Sequence, residues 1–264
     1  MKQYIVDAFT NTPFSGNPAA VCGMQDMDET RSTTLQKLRD NIWAIDQGFV
    51  RCFLIVGKMR ALLFDTGAEP CDLMGIIRSV TDREIVMVQS HGDGDHTANS
   101  CLFPEIFAHP AEYDVILRFR PALEGRLRPV KEGDVFDLGG QILEVIEAPG
   151  HTPGSICLLD RENRALFSGD TISLGPVFLF GGHRDIRAFR KTLDKLETLD
   201  GCDVVYPCHN TCPVTPEILP YLKAAVDGAM DGSIQGTGMD GPPLPDGAEP
   251  LCYRAGSCEI LYLP

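Results

Sequence analysis

Short apolar runs alternate with polar breaks marked by Gly and Pro along most of the chain. The runs at 49–56, 61–65, 84–89, 141–147, 155–160, 164–168 and 203–206 look like strands. From Asp185 to Leu199 the period changes. Ile186, Phe189, Leu193 and Leu196 recur at helical spacing, with Asp, Arg and Lys between them. Thr215-Pro216-Glu217 offers a capping residue and a Pro for the first turn of a second helix. Residues 231–250 are rich in Gly and Pro and predict an irregular loop before a last strand at 259–263. This interleaving predicts a layered α/β domain.

Several of the breaks carry chemistry. The run 84–89 feeds His91-Gly92-Asp93-Gly94-Asp95-His96, which crowds two imidazoles and two carboxylates into one short loop. Glycines at 92 and 94 allow backbone conformations that a Cβ would forbid, so neighbouring side chains can converge. Three more elements end apolar runs: Pro149 to Ser155, Ser168-Gly169-Asp170, and Tyr206-Pro207-Cys208-His209. Four of the six histidines (91, 96, 151 and 209) fall in these elements. That repetition outweighs the bland reading of a lone hydrogen-bonded histidine beside a strand. His109, just before a Pro, reads as structural or surface. Imidazole and carboxylate are ligands for zinc, iron or manganese, so the pattern predicts a metal site assembled from the whole chain.

His-x-Asp-x-Asp-His, then Gly-His-Thr-Pro-Gly-Ser, then Ser-Gly-Asp, then a late His, resembles the metallo-β-lactamase-fold superfamily of metallo-hydrolases. Asn41 to Asp46 and Ala61 to Gly67 match its early strands, and the resemblance covers roughly residues 41–264. It implies an α/β fold of the αββα type, two mixed β-sheets with helices on the outer faces. It also implies two divalent metal ions, zinc by default. The first would be held by His91, Asp93 and His151, the second by Asp95, His96 and His209, with Asp170 bridging. Asp95 would also be catalytic, orienting the attacking water or taking its proton. Asp65 would orient a metal-binding loop. The superfamily usually has His where this chain has Asp93. A harder, anionic ligand there moves the first site toward iron or manganese. An acid at this position resembles the flavodiiron oxygen and nitric-oxide reductases, although the chain has no room for their flavin domain.

Composition narrows the rest. At 264 residues, 44% hydrophobic and 23% charged, the chain reads as a soluble domain with enough length for a sizeable core. No apolar run is long enough to span a membrane and no secretory signal precedes the first strand, so a cytoplasmic location is expected. The ten cysteines are scattered and several sit in apolar runs, which favours free thiols over disulfides. The Cys208 side chain is expected to point away from the metals. A net charge of −14, with 23 basic against 37 acidic residues, opposes a polyanionic partner. Arg118 to Arg128 reads as a solvated loop or helix edge. A small-molecule substrate is therefore expected, with no nucleic acid and no membrane, and a homodimer is left open.

The N-terminus differs from the rest. Tyr4 to Thr10 and Phe14 to Cys22 resemble the opening strand and turn of the phenazine-biosynthesis isomerase family, and the match stops near Cys22. Residues 1–34 are read as an accessory strand and linker, or a fusion remnant, ahead of a hydrolase domain at 35–264. Beyond Asp170, an apolar stretch ends in Gly181-Gly182-His183-Arg184. Phe178, Phe180, His183 and Arg184 are candidate substrate contacts if this stretch is a lid. The alternative is a core strand followed by a helix cap at Asp185. The expected function is hydrolysis of a small ester, thioester or lactone by a metal-bound hydroxide. Glyoxalase-type thioesters fit the small anionic frame, without the helical glutathione-holding domain. A di-iron redox or oxygen-handling enzyme is the alternative, and a non-catalytic binding module is a third reading. β-Lactam hydrolysis is not expected, because those enzymes carry an export signal.

Overall fold

The computed structural model describes residues 33–238 and 249–264. The segment that resembles the phenazine-biosynthesis isomerases lies outside these residues. The chain begins with an antiparallel meander, β1 (Thr34–Arg39), β2 (Ile42–Asp46), β3 (Arg51–Val56) and β4 (Arg60–Phe64). Helix α1 (Leu73–Val80) carries it to β5 (Glu84–Val88), parallel to β4. Then β6 (Ile106–Ala108), α2 (Tyr113–Phe119) and β7 (Leu127–Pro129) complete a seven-stranded sheet in chain order.

The second layer starts with β8 (Val135–Asp137), β9 (Ile142–Glu147), β10 (Ile156–Asp160) and β11 (Ala165–Gly169), followed by β12 (Pro176–Leu179). Helix α3 (Ile186–Glu197) leads to β13 (Val204–Pro207), which lies parallel to β11 and closes a five-stranded sheet, β13-β11-β10-β9-β8. Helix α4 (Leu219–Asp231), β14 (Thr237–Gly238), β15 (Leu251–Ala255) and β16 (Cys258–Tyr262) end the chain.

Side-chain alternation explains the layering. In β3, Phe53 and Ile55 face the second sheet while Cys52 and Leu54 face α1 and α2. In β10, Ile156 and Leu158 face the first sheet while Cys157 and Leu159 face α3 and α4. A strand buried on both faces must be apolar at every position, which is why these runs are continuous in the sequence. The result is the αββα sandwich, helix layers outside two sheet layers.

One feature departs from the expectation of two sheets. The second layer is split, and β12 belongs to a separate sheet, β12-β16-β15-β14. The free edge of β13 is taken by a bridge between Val205 and Val214, and β13 ends in Pro207, which has no N–H to offer. Strand β12 pairs in parallel with β16 instead. The C-terminus is accordingly a hairpin, β15 with β16, where a single strand was expected. The stretch after Asp170 is also no free lid. Phe178 lies in a paired strand, and Asp185 caps α3 through its side chain, accepting from the N–H groups of Arg187 and Ala188. The nine described cysteines are free.

Candidate metal centre

Asp65 and each candidate metal ligand sit past the end of a strand. Asp65 follows β4, His91 to His96 follow β5, His151 follows β9, Asp170 follows β11 and His209 follows β13. Strands from both layers end on the same rim, so residues far apart in sequence meet there. His91, Asp93 and His151 form one trio, and Asp95, His96 and His209 form another, each with donor atoms within 4.8 Å of one another. Asp170 lies between the trios. Its carboxylate oxygens are 3.3 Å from Nε2 of His96 and of His209, 3.6 Å from His151 and 4.0 Å from His91.

All four imidazoles are oriented from behind. His151 Nδ1 donates to the Phe178 carbonyl at 2.9 Å, and His209 Nδ1 to the Phe49 carbonyl at 2.7 Å. His96 Nδ1 is 2.9 Å from Asp65. The Ser90 hydroxyl donates to Asp65 at 2.6 Å and can therefore accept from His91 Nδ1 at 2.9 Å. A carbonyl or carboxylate can only accept, so the proton of each neutral ring is held at Nδ1 and the Nε2 lone pair faces the centre. The Nε2 atoms of His96 and His209 lie 3.3 Å apart. Two lone pairs at that distance need a proton or a cation between them.

Several buried atoms have no hydrogen-bond partner: Nε2 of His91 and His151, both carboxylate oxygens of Asp95, and Oδ1 of Asp170. Orphaned donors and acceptors on this scale are costly in a folded core unless a ligand completes them. Nitrogen and oxygen donors converging this way suit a divalent cation, so the residues present fit the group that the motifs imply.

The electrostatics divide the trios. Burial alone would push the Asp170 and Asp95 carboxyls up, but the facing histidines hold both below the usual carboxylate range. His209 responds in the opposite sense: burial lowers it, and Asp170 and Asp95 override that, raising it to about 10. His96 is raised well above its usual value against the same burial, by Asp170, Asp95 and Asp65. His151 is lowered, by burial and then by the Arg184 guanidinium.

Arg184 is the main surprise among the expected residues. Its Nη2 lies 2.5 Å from Asp93 Oδ2, the oxygen that also faces His91 at 3.4 Å and His151 at 3.3 Å. His183 is exposed and Phe180 buried, while Phe178 contributes its carbonyl to His151. Cys208 points behind the site as expected, with Sγ 3.4 Å from Asp65. Burial and the Asp65 charge push its thiol well up, which keeps it neutral. Asp65 itself adopts φ 66°, a region few non-glycine residues enter, and four donors from Gln89, Ser90 and His96 hold it there.

Sequence reasoning missed Glu112. It is fully buried, and its two carboxylate oxygens accept from the N–H groups of Gly92 and Gly154, each at 2.7 Å. One side chain thus fastens the loop of His91 and Asp93 to the loop of His151. The glycines serve this close approach. Gly92 does not adopt positive φ, but a Cβ there would meet Val115 Cβ at 2.9 Å, and one on Gly154 would meet Glu112 Cγ at 2.9 Å. Arg118 to Arg128 is mostly exposed or half-buried at and beyond the end of α2, but within it Arg120 Nε donates to the Thr97 carbonyl at 2.8 Å, just past the loop of His91 to His96.

Residues 45–209 match the sequence profile of the metallo-beta-lactamase superfamily, more than half of the chain. The chain belongs to this superfamily. Over 175 residues it is 31% identical to an acyl-coenzyme A thioesterase, MBLAC2, of Gallus gallus, covering 53% of this chain and 60% of that protein. Over 148 residues it is 34% identical to a hydroxyacylglutathione hydrolase of Hahella chejuensis, covering 53% of this chain and 55% of that one. Both matches thus leave two-fifths or more of the relative unspanned. Among solved structures, a metallo-beta-lactamase family protein of Thermus thermophilus superposes with a TM-score of 0.61. That match has 19% identity over 75% of this chain and 83% of the other, a likeness of fold. Among the described residues no helix is long and apolar enough to cross a membrane.

Proposed function

We propose that the chain is a dinuclear metal-dependent hydrolase of small acyl thioesters. The observation that carries the reading is the ring of buried, partnerless Nε2 and carboxylate atoms around Asp170. The first trio would hold one divalent ion, zinc by default, the second trio another, and Asp170 would reach both. When bound, such ions acidify a coordinated water and polarise a carbonyl oxygen.

The rest is done by the chain. Asp95 brings two oxygens that accept no hydrogen bond, one to hold a cation and one to accept the proton of the attacking water. Asp65, directly and through Ser90, keeps the Nε2 atoms of His96 and His91 pointed inward. His91, His96 and His151 are almost wholly buried, whereas the His209 side chain is 19% exposed, so substrate enters from the His209 side. A thioester suits this site because its leaving thiol has an ordinary pKa of about 8.5 and departs without strong acid assistance. The relatives named for acyl-coenzyme A and for hydroxyacylglutathione support the same class. The di-iron redox alternative rested on Asp93 as a hard anionic ligand. With Arg184 on the same oxygen that charge is already balanced, and hydrolysis is the better supported reading.

The test is a substrate panel on protein loaded with saturating zinc: acyl-coenzyme A and S-acylglutathione thioesters beside oxygen esters and lactones. Thioester turnover that disappears on chelation and returns with zinc is the expected result. Two bound metals with no turnover of any acyl substrate would sink the reading. Oxygen consumption by an iron-loaded form would move the site to the redox alternative.

A further inference from the structure

The two trios have the same composition, one Asp and two His, but different charge environments. Among the described residues the ion-pair partners of Asp95 are His96 and His209. Asp93 has a fixed cation. The Arg184 guanidinium contacts Oδ2, the Asp93 oxygen that faces both histidines of its trio. The arm is built into the site: its side chain is 8% exposed, and its Nε is buried with no partner. Its root is fixed as well. The next residue, Asp185, caps α3 and donates its N–H to the Gly150 carbonyl at 2.9 Å, beside His151.

We propose that Arg184 is a resident counter-cation of the first trio, which makes the two metal positions unequal and sets an order of filling. This rests on the dinuclear reading above. The second trio takes its ion first. An ion entering the first trio must move the guanidinium off Asp93 and then share the pocket with it. A guanidinium stays charged at every physiological pH, so it cannot yield as a proton does. Asp93 carries a permanent guanidinium counter-charge, while the ion-pair partners of Asp95 among the described residues include no Arg or Lys. A like charge within a few ångströms of a cation in a poorly hydrated site weakens binding by at least about tenfold.

The experiment is a zinc titration against a competing chelator, read as stoichiometry and affinity, on the full chain. Wild type should take zinc in two steps separated by roughly 100-fold or more. His209→Ala should remove the tight step and His151→Ala the weak one. Arg184→Met should tighten the weak step by about tenfold or more, while Arg184→Lys keeps the charge and stays near wild type. Asp93→His, which removes the anchor of the arginine and restores an imidazole, should also narrow the gap, and it serves if Arg184→Met misfolds by circular dichroism. Two ions bound in one unresolved step, a gap unchanged in Arg184→Met and in Asp93→His, or the reverse assignment by the His variants would each overturn this inference and leave the hydrolase intact. No zinc bound by any form would overturn both.

Discussion

The two trios use the same side chains to opposite ends. In the first, His151 is lowered by burial and by Arg184, so its Nε2 is a neutral donor in a pocket whose charge is already balanced. In the second, His209 is raised to about 10 because Asp170 and Asp95 outweigh burial. There the charges facing Asp95 are those of its own trio's histidines, with no Arg or Lys among its ion-pair partners in the described residues. In the first trio a guanidinium already lies on the carboxylate, and an entering ion would have to displace it. Identical ligand chemistry therefore does not make identical sites. What decides is the fixed charge behind the ligands, and that lies outside the motif.

The largest effect should come from removing what the trios share. Asp170→Asn takes away the carboxylate that faces all four imidazoles. Loss of an outer partner typically costs about 10–100-fold in metal affinity, so loss of this shared ligand should exceed that and abolish turnover. Zinc titration with the thioester assay checks it, and near-normal binding would end the view of Asp170 as the hinge between trios. Asp65→Asn comes next. Asp65 supports His96 directly and His91 through Ser90, so both steps should weaken by about 10–100-fold together. Weakening of only one step would mean that the serine relay carries nothing.

Glu112→Gln sharpens the comparison further. Its carboxylate ties Gly92, in the loop that serves both trios, to Gly154, in the loop that brings His151 to the first trio alone. An amide nitrogen cannot accept the second N–H. The weak zinc step should soften several-fold and more than the tight one, and a thermal melt should fall, since a buried N–H left unpaired costs about 1–3 kcal/mol. Equal weakening of both steps would erase the distinction.

The smallest effect belongs to a surface network that sets the scale. Asp194 pairs with Arg190 on its own helix α3 and with Lys223 on α4, and these partners hold its carboxyl down at about 2. A depressed carboxyl contributes stability above its unfolded value and loses it as pH falls through the folded one. The difference in melting temperature between wild type and Asp194→Asn should therefore be small and constant near neutrality. It should shrink as pH falls from about 4 to about 2. A difference that grows on acidification would contradict the assignment.

Much of this molecule is written locally. The strands at 49–56, 84–89 and 155–160 are buried on both faces, and that double burial forces the unbroken apolar runs a reader can see. The ligand motifs follow those runs because both layers end on one rim. Less was legible where the signal is short or nonlocal. Strands β6, β7 and β8 have three residues each, too few to show a period. Helices α1 and α2 are short and went unforeseen. Strand β12 finds its partner 83 residues on in the chain, where Pro176 meets Glu259. Arg184 lies 91 residues from Asp93, and nothing in its neighbourhood announces the pairing. Glu112 stands 20 residues from Gly92 and 42 from Gly154, so in sequence it looks like any acid at the start of a helix.

Each trio draws ligands from both sheets: His91, Asp93, Asp95 and His96 follow a strand of the first layer, His151 and His209 strands of the second. A cation in either trio would therefore be a rivet through the sandwich. His96 and His209 are 113 residues apart in the chain, and cross-linking a loop of that length removes several kcal/mol of freedom from the unfolded chain, on the order of 4–5 by the disulfide relation. The nine described thiols form no such bond. Here a chelator would act as a reducing agent acts on a disulfide-linked protein, unfastening two layers that otherwise adhere only through their packed faces.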